Sequence, residues 1–325
     1  MGKILYVDMT VKSVKEKPLK PEYADLLLGG RGFGIAYLFE HFNGLRSKYG
    51  NPFKEVDSLS KDNVIVLSTS AATATKVPTS GRLHMNFKSP LTDALGGTSG
   101  GGYFSVHLKR AGYDVLVVTG RSKIPCILII SNNKVEFKDI RDWNGADSIA
   151  LRERIRKEYS KKIHVLTIGM AGRNKCRFAS VMTDSGKALG RGGGGAVFAS
   201  KNLYAVAVMP DPELTVNVHK PEHFKLTRNE SVAKKTKLKL DVGKFTKKEA
   251  FFGILPSLGS LGLLGMIHHF GQLIHNNMRD TTHKIEDINR ISGEALRYHE
   301  LDAKRNENRI KVKKGGCYHC PILCK

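Results

Sequence analysis

Three cysteines near the end of the sequence form the pattern with the clearest chemistry. Cys317, Cys320 and Cys324 stand at C-x2-C-x3-C spacing in "KGGCYHCPILCK". Thiolates gathered on one loop are typical ligands of an iron–sulfur cluster. Zinc bound by the three cysteines and His319 is an alternative, although His319 lies inside the first turn of the motif. A cluster of this kind takes a fourth ligand, and no further cysteine follows Cys324.

The other two cysteines do not have ligand spacing. Five cysteines in a sequence without a secretory pattern at its start do not indicate a disulfide framework, and they favour a cytoplasmic protein. Cys126 lies in the apolar run "PCILII", which predicts a buried strand and a small core residue. Cys176 has no candidate partner near it in the sequence.

Glycine-rich segments suggest a second kind of site. Glycine allows positive φ and a close approach of backbone N–H groups to a phosphate or a planar heterocycle. Arginine adds a fixed fork of donors that suits a phosphate. Three of the four segments contain such an arginine, at Arg31, Arg82 and Arg191. The four segments are "GGRGFG" (29–34), "PTSGRLH" (78–84), "GGTSGGGYF" (96–104) and "GRGGGGAV" (190–197). Neither a dinucleotide fingerprint nor a P-loop is matched, so together they indicate a large phosphate-bearing cofactor.

These segments lie between short apolar runs that are typical of strands. Strands are predicted at 3–9, 63–69, 82–87, 114–120, 126–131, 134–140, 163–169, 177–183 and 203–209. Helices are predicted at 24–42, 103–112 and 146–160. Because strands outnumber helices and do not alternate with them, the pattern favours an α+β fold with more than one sheet. Near residue 211 two prolines and a lysine-rich, helical pattern begin, which predicts a β-rich domain over 1–210 and a partial, mostly helical domain over 211–325.

The high positive charge raises the question of nucleic-acid binding. The formal net charge is +23. It is spread over the whole sequence, with 32 basic against 17 acidic residues in 1–210 and 21 against 13 in 211–325. No dedicated basic arm stands out, so specific nucleic-acid binding is not expected, and nonspecific binding is the weakest of the functional alternatives. The uncharged stretch 251–278 contains a proline, glycines and histidines, and predicts a buried, broken helix rather than a membrane span.

Read in order, the segments resemble the tungsten-dependent aldehyde:ferredoxin oxidoreductase family. The resemblance covers nearly the whole sequence, and its blocks are "LGGRGFGIAYL", "VPTSGRLHMNFKSPLTDALG", "SGGGYFSVHLKRAGYDVLVVTGRS", "IGMAGRNKCRFASVMTD", "GKALGRGGGGAVFASKNLYAVAV" and "KGGCYHCPILC". It implies a β-rich base domain that carries a tungsten or molybdenum bis-pyranopterin, with magnesium bridging the pterin phosphates. The residues that it implies as cofactor-binding are Arg82, Ser99, Gly100, Gly101, Arg191, Gly192 and Gly193. It also implies that Cys317, Cys320 and Cys324 bind a [4Fe–4S] cluster.

The resemblance implies an activity and partners as well. In that family an aldehyde is oxidised to a carboxylic acid, and electrons pass through the pterin and the cluster to ferredoxin. The sequence departs from the family pattern at Ser99, where an Asn is common, at "SAATA" (70–74), and at Arg173, where a Glu is usual. The family also continues for several hundred residues beyond the cysteine loop, so a separately encoded C-terminal portion is expected to complete a truncated enzyme, and a homodimer is compatible with this. The alternative is a non-catalytic remnant or a module that binds a cofactor or a partner. No catalytic residue is assigned, since His84, His107, His268, His269 and His275 have no carboxylate at a diagnostic spacing.

Overall fold

The computed structural model describes residues 2–131, 134–143, 145–209, 215–236 and 317–319. The chain divides into two compact units, Met1–His219 and Lys220–Lys325. The boundary near residue 211 stays a prediction. Both sheets described below lie in the first unit, and within the described residues the second unit contains one long helix.

The first sheet has six strands, all from the first half of the first unit's sequence. Its strands are β1 (Lys3–Asp8), β2 (Ser13–Pro18), β3 (Ile65–Ser68), β4 (Arg82–Lys88), β5 (Leu95–Gly101) and β6 (Tyr113–Thr119). Their order is β2-β1-β6-β3-β4-β5. The β1–β6 pair is parallel and the other pairs are antiparallel. The sheet is therefore mixed, and β5 forms one of its edges.

The second sheet also has six strands. They are β7 (Cys126–Ser131), β8 (Lys134–Asp139), β9 (His164–Ile168), β10 (Val181–Thr183), β11 (Ala188–Leu189) and β12 (Leu203–Val208). Their order is β11-β10-β9-β12-β7-β8, and the β7–β12 pair is the parallel one. Here β11 forms an edge.

Helices cover the sheets and connect them. In the first unit they are α1 (Pro21–Leu27), α2 (Arg31–Gly44), α3 (Pro52–Glu55), α4 (Phe104–Arg110), α5 (Ser148–Glu158), α6 (Met170–Arg173) and α7 (Gly194–Ser200), with a 3-10 turn at Arg141–Trp143. The helix of the second unit is α8 (Pro221–Thr236). The α+β fold class with more than one sheet is confirmed.

The hydrophobic core explains why these apolar runs form strands. Alternate residues of a strand point to opposite faces of its sheet. Leu116 and Val118 of β6 lie in the central cluster that joins the two sheets, whereas Val115 and Val117 pack with α2 on the outer face. The second sheet repeats this pattern, with its outer face covered by α5. Because both faces are buried, the central strands are continuous apolar runs in the sequence. Burial of each large aliphatic side chain stabilises the folded state by roughly 1.5–3 kcal/mol.

The edges of the two sheets meet beside β5. An added Cβ at Gly100 of β5 would lie 3.2 Å from the side chain of Leu189 of β11. The backbone N–H of Arg191, just beyond β11, donates a hydrogen bond of 3.4 Å to Oγ1 of Thr98 in β5. This junction brings together residues that are far apart in the sequence.

Candidate functional site

The β4–β5 hairpin supplies the floor of the candidate site. Across the pair, Arg82 stands opposite Gly101 and His84 stands opposite Ser99. These residues share one face of the hairpin, because residues directly opposite in an antiparallel pair point the same way. Arg82 and Ser99 are exposed there, and so is Gly97. The result is an open surface of small residues with an arginine at one end.

The segment that follows β11 lies along this hairpin. Besides the hydrogen bond from Arg191 to Thr98, the hydroxyl of Ser89 donates to the carbonyl oxygen of Gly192 at 2.7 Å. Arg191 itself is exposed and Gly192 is half-buried. The structure therefore brings the segment after β11 against the edge strand β5, and the hydrogen-bonded residues Arg191 and Thr98 are 93 positions apart in the sequence. Their role in cofactor binding stays a prediction.

Three of the predicted glycines also have a structural task. Gly193 has a φ of +83°, and an added Cβ would lie 1.9 Å from the carbonyl oxygen of Arg177. Gly100 packs against Leu189, as described above. Gly101 is buried, and its carbonyl oxygen accepts from the hydroxyl of Thr183 at 3.4 Å. The exposed side chains of Arg82, Ser99 and Arg191 are thus the members of the predicted set that are free to reach a ligand with a side chain.

The start of α2 borders the same region. Gly30 precedes the helix with a φ of +56°, and its N–H donates to the carbonyl oxygen of Thr69. The carbonyl oxygen of Gly30 accepts a hydrogen bond from Oγ of Ser68. Arg31, the first helical residue, is exposed. Its charge contributes to the environment of His84, as described next. A helix N-terminus with an adjacent arginine favours an anion.

His84 is the buried polar residue of this face. It is 6% exposed, and its Nδ1 shares a hydrogen bond of 2.6 Å with Oγ of Ser99. Burial, together with the positive charge of Arg31, lowers the pKa of His84 to about 4, so the ring is neutral near pH 7. Its Nε2 has no hydrogen-bond partner in the described part of the chain. Sequence reasoning listed His84 only as one of several histidines, because the contact with Ser99 depends on the hairpin register.

A second histidine cluster lies near the start of α4. His107 and His164 stack with ring centroids 3.9 Å apart and an interplanar angle of 8°. Nδ1 of His164 pairs with the carboxylate of Asp184. Burial and the neighbouring His164 lower the pKa of His107 to about 4. Sequence reasoning assigned no role to His164, in β9, or to Asp184, which directly follows β10.

A buried lysine connects the two sheets. Lys201 is 0% exposed, and its ammonium donates to the carbonyl oxygens of Asn63 at 2.6 Å and Gly120 at 3.1 Å. Burial, reinforced by the charge of Arg121, lowers its pKa to about 7. The acceptors belong to segments that flank strands of the first sheet, while Lys201 precedes β12 of the second. These backbone contacts give Lys201 a structural role. The sequence contains no pattern that predicts its burial.

The cysteine loop is described only in part. Cys317 is half-buried and His319 has a φ of +47°, whereas Cys320 and Cys324 lie outside the described residues. The stretch 251–278, with His268, His269 and His275, also lies outside them. Cys126 is fully buried in the central core, as predicted. In the part of the chain that the structure describes, no helix is both long and apolar enough to cross a membrane.

Comparisons with known proteins agree with this architecture. The family model "Aldehyde ferredoxin oxidoreductase, N-terminal domain" matches residues 4–210. A tungsten-containing aldehyde ferredoxin oxidoreductase of Pyrococcus abyssi is 32% identical over 324 residues, which are 99% of this chain and 48% of the relative. The WOR-like subunit of an aliphatic sulfonate oxidoreductase of Pyrococcus furiosus is 33% identical over 218 residues, or 63% of this chain and 34% of that subunit.

A solved structure is similar over the same length. The active-site complex BamBC of benzoyl-coenzyme A reductase, in complex with 1,5-dienoyl-CoA, has a TM-score of 0.82 and 26% identity, and the match covers 99% of this chain and 46% of that chain. The chain thus spans about half the length of the curated relatives that it matches. The family model covers both sheets and the glycine segments around β5, and the named relatives are oxidoreductases. The chain belongs to the aldehyde ferredoxin oxidoreductase family.

Proposed function

We propose that this chain is the cofactor-binding part of a tungstopterin aldehyde oxidoreductase. The observation that carries the proposal is the pair of exposed side chains Arg82 and Ser99 on one face of the β4–β5 hairpin, with the exposed Arg191 in a segment whose backbone is hydrogen-bonded to Thr98 of β5. Such a surface fits the proposed group: small strand residues leave room for a planar ring system, and two exposed guanidinium groups can bind phosphates in a bidentate manner. An unpartnered, buried ring nitrogen at His84 fits a polar heterocycle in the same place.

The residues of the chain would bind and orient this group. Arg82 and Arg191 would hold the pterin phosphates, together with magnesium, and the glycine backbone of 190–193 would approach them closely. Cys317, Cys320 and Cys324 would bind a [4Fe–4S] cluster through thiolates. When bound, the metal and its pterin, with tungsten or molybdenum as the metal, supply the two-electron chemistry.

In the reaction that we propose, an aldehyde and water give a carboxylic acid, two protons and two electrons. The electrons would leave through the cluster to ferredoxin, which accepts one electron at a time. The net charge of +23 would favour an acidic protein partner at low ionic strength. Because the relatives are about twice as long, we propose that a polypeptide equivalent to their remaining length completes the site and binds the small aldehyde.

Cofactor content tests the proposal directly. The chain is produced without oxygen in cells that receive tungstate, and tungsten and pterin are measured per chain. We expect close to stoichiometric amounts, and a loss of about tenfold or more in Arg82→Ala and Arg191→Ala, because each removes a charge-assisted bidentate contact. Arg154→Ala on α5 is the matched control, since it removes an exposed arginine far along the sequence from the glycine segments.

Activity is tested in a second step. Co-production with a polypeptide that covers the remaining length of the relatives should give aldehyde-dependent reduction of ferredoxin. Stoichiometric pterin without such activity would indicate that the chain binds the cofactor but does not take part in aldehyde oxidation. A wild-type chain that contains neither tungsten nor pterin, alone and with the complementing polypeptide, would contradict the proposed function.

A further inference from the structure

The unpartnered nitrogen of His84 calls for an explanation. A buried polar atom without a hydrogen bond destabilises the folded state, and native proteins leave few such atoms. Within the described residues, Nε2 of His84 is one of them. The other ring nitrogen is held by Ser99 at 2.6 Å, so the ring cannot rotate to satisfy Nε2 without breaking that hydrogen bond.

The surroundings of Nε2 distinguish it from the other unpartnered atom of this face. Oδ1 of Asn86 also lacks a partner, but α2 covers it: an added Cβ at Gly34 would lie only 1.9 Å from that oxygen. Nε2 of His84 lies instead beside Gly97, where an added Cβ would be 3.5 Å away. Gly97 is exposed and has no side chain. The unpartnered nitrogen is therefore buried just beneath the exposed backbone of Gly97, on the face of the hairpin that carries Arg82 and Ser99.

We infer that Nε2 of His84 forms a hydrogen bond with the heterocyclic edge of the pterin that this surface binds. The inference rests on the proposed function. A pterin ring edge is the matching partner because the imidazole is neutral, whereas the phosphates have exposed arginines available to them. Ser99 selects the tautomer of the ring and fixes its orientation, so it acts through His84 in addition to any contact of its own. Gly97 leaves the position 3.5 Å from Nε2, where a Cβ would stand, without a side chain.

Two substitutions at His84 distinguish the contribution of Nε2 to pterin binding from that of Nδ1. The amide nitrogen of glutamine in His84→Gln reaches the place of Nε2, whereas that of asparagine in His84→Asn reaches only the place of Nδ1. We expect the rate of pterin loss from the anaerobically purified chain to rise about tenfold in His84→Asn and to stay within about twofold in His84→Gln, as the loss of one hydrogen bond predicts. His41→Gln is the control, because the Nε2 of His41 already contacts the carbonyl oxygen of Asp62.

A third variant blocks the approach without removing the histidine. The contacts of an added Cβ at Gly97 are ordinary, at 3.4 Å or more, and the backbone there is not in the left-handed region. Gly97→Ala should therefore fold normally and lose pterin about as fast as His84→Asn. Fluorescence of the single tryptophan checks the fold of each variant.

A readout on the wild-type protein completes the test. With 15N-labelled histidine, the Nε2 resonance of His84 should shift on loading with pterin, while the Nδ1 resonance stays in place. Equal pterin retention in His84→Asn and wild type, or an unmoved Nε2 resonance in pterin-loaded protein, overturns the inference and leaves the proposed function standing. A wild-type chain without pterin overturns both.

Discussion

Acidification should destabilise the first unit through its buried histidines. A histidine whose pKa is lower in the folded than in the unfolded chain takes up a proton only on unfolding, so its stabilising effect is complete above pH 6.5 and is lost as the pH falls toward 4. His84 has this property, with a folded pKa of about 4 against 6.5. When the pH falls from 7 to 5, preferential protonation of His84 in the unfolded chain therefore lowers the free energy of unfolding by about 2 kcal/mol. His107 adds about 1 kcal/mol, because solvent screens part of its shift.

The measurement uses the position of the single tryptophan. Trp143 lies in the first unit and packs against the cluster between α5 and the second sheet, so its fluorescence reports the unfolding of that unit. Urea unfolding of the cofactor-free chain at several pH values between 5 and 7 gives the free energy at each pH. Over this range His84 and His107 together should account for about 3 kcal/mol of the loss in wild type.

Variants isolate the contribution of each histidine. His84→Gln should remove about 2 kcal/mol of the pH dependence and His107→Gln about 1 kcal/mol, because the contributions of all other histidines cancel in the difference from wild type. His223→Gln, an exposed position on α8 of the second unit, is the control. An identical pH dependence in His84→Gln and wild type would refute the reasoning, since it would mean that His84 is protonated as readily in the fold as in the unfolded chain.

Three further predictions concern stability, and urea unfolding followed by tryptophan fluorescence measures each. Gly193→Ala should cost about 2–4 kcal/mol, because it places a Cβ on a left-handed residue against a backbone oxygen, whereas Gly44→Ala, in open space at the end of α2, should not destabilise. Lys109→Met should cost about 3–5 kcal/mol by leaving the carboxylate of Asp114 buried without its ion-pair partner, and adding Asp114→Asn should restore part of the loss. Asp147→Ala should cost about 1 kcal/mol, because its carboxylate accepts two N–H groups at the start of α5, and an unchanged midpoint would show that water replaces the cap.

The apolar strands could be predicted from the sequence, and the polar ones could not. Each central strand that is buried on both faces reads as an apolar run, so β6, β7 and β12 were predicted within one residue at each end. The edge strand β5, "LGGTSGG", contains four glycines and no β-branched run besides Thr98, and composition gives no signal for it. The charged strand β2 and the two-residue β11 were missed for similar reasons.

Three segments differ from the prediction because backbone turns and tertiary packing override local preference. The helix predicted at 24–42 is two helices, because Leu28, Gly29 and Gly30 adopt positive φ and the chain turns between α1 and α2. The strand predicted at 177–183 is confined to Val181–Thr183. Glycine-rich α7 was not predicted, since glycine disfavours a helix. It forms because Gly195 lets the helix pack against a backbone oxygen of Ser180, where an added Cβ would come within 2.5 Å.

Prediction of the candidate site from the sequence was limited in the same way. Its arginines and glycines could be named from the sequence, because their residue types alone indicate phosphate binding. The pairing of His84 with Ser99 could not, because it needs the antiparallel register of β4 with a strand that carries no strand signal. A sequence separation of 15 residues between the two partners has no meaning until that register is known.

The geometry of the edge separates residues that the fold requires from residues that are free to bind. Gly100 and Gly193 are buried against neighbouring atoms, so their substitution changes stability whether or not a cofactor binds. Arg82 and Arg191 are exposed, and exposed side chains contribute little to folding. A substitution series across this edge should therefore divide into two groups: glycine variants that lower the unfolding midpoint, and arginine variants that release cofactor from a chain of unchanged stability. Arginine variants that lower the midpoint as much as Gly193→Ala would instead mean that these side chains hold the sheet edges together, and the case for a binding surface at this junction would fail.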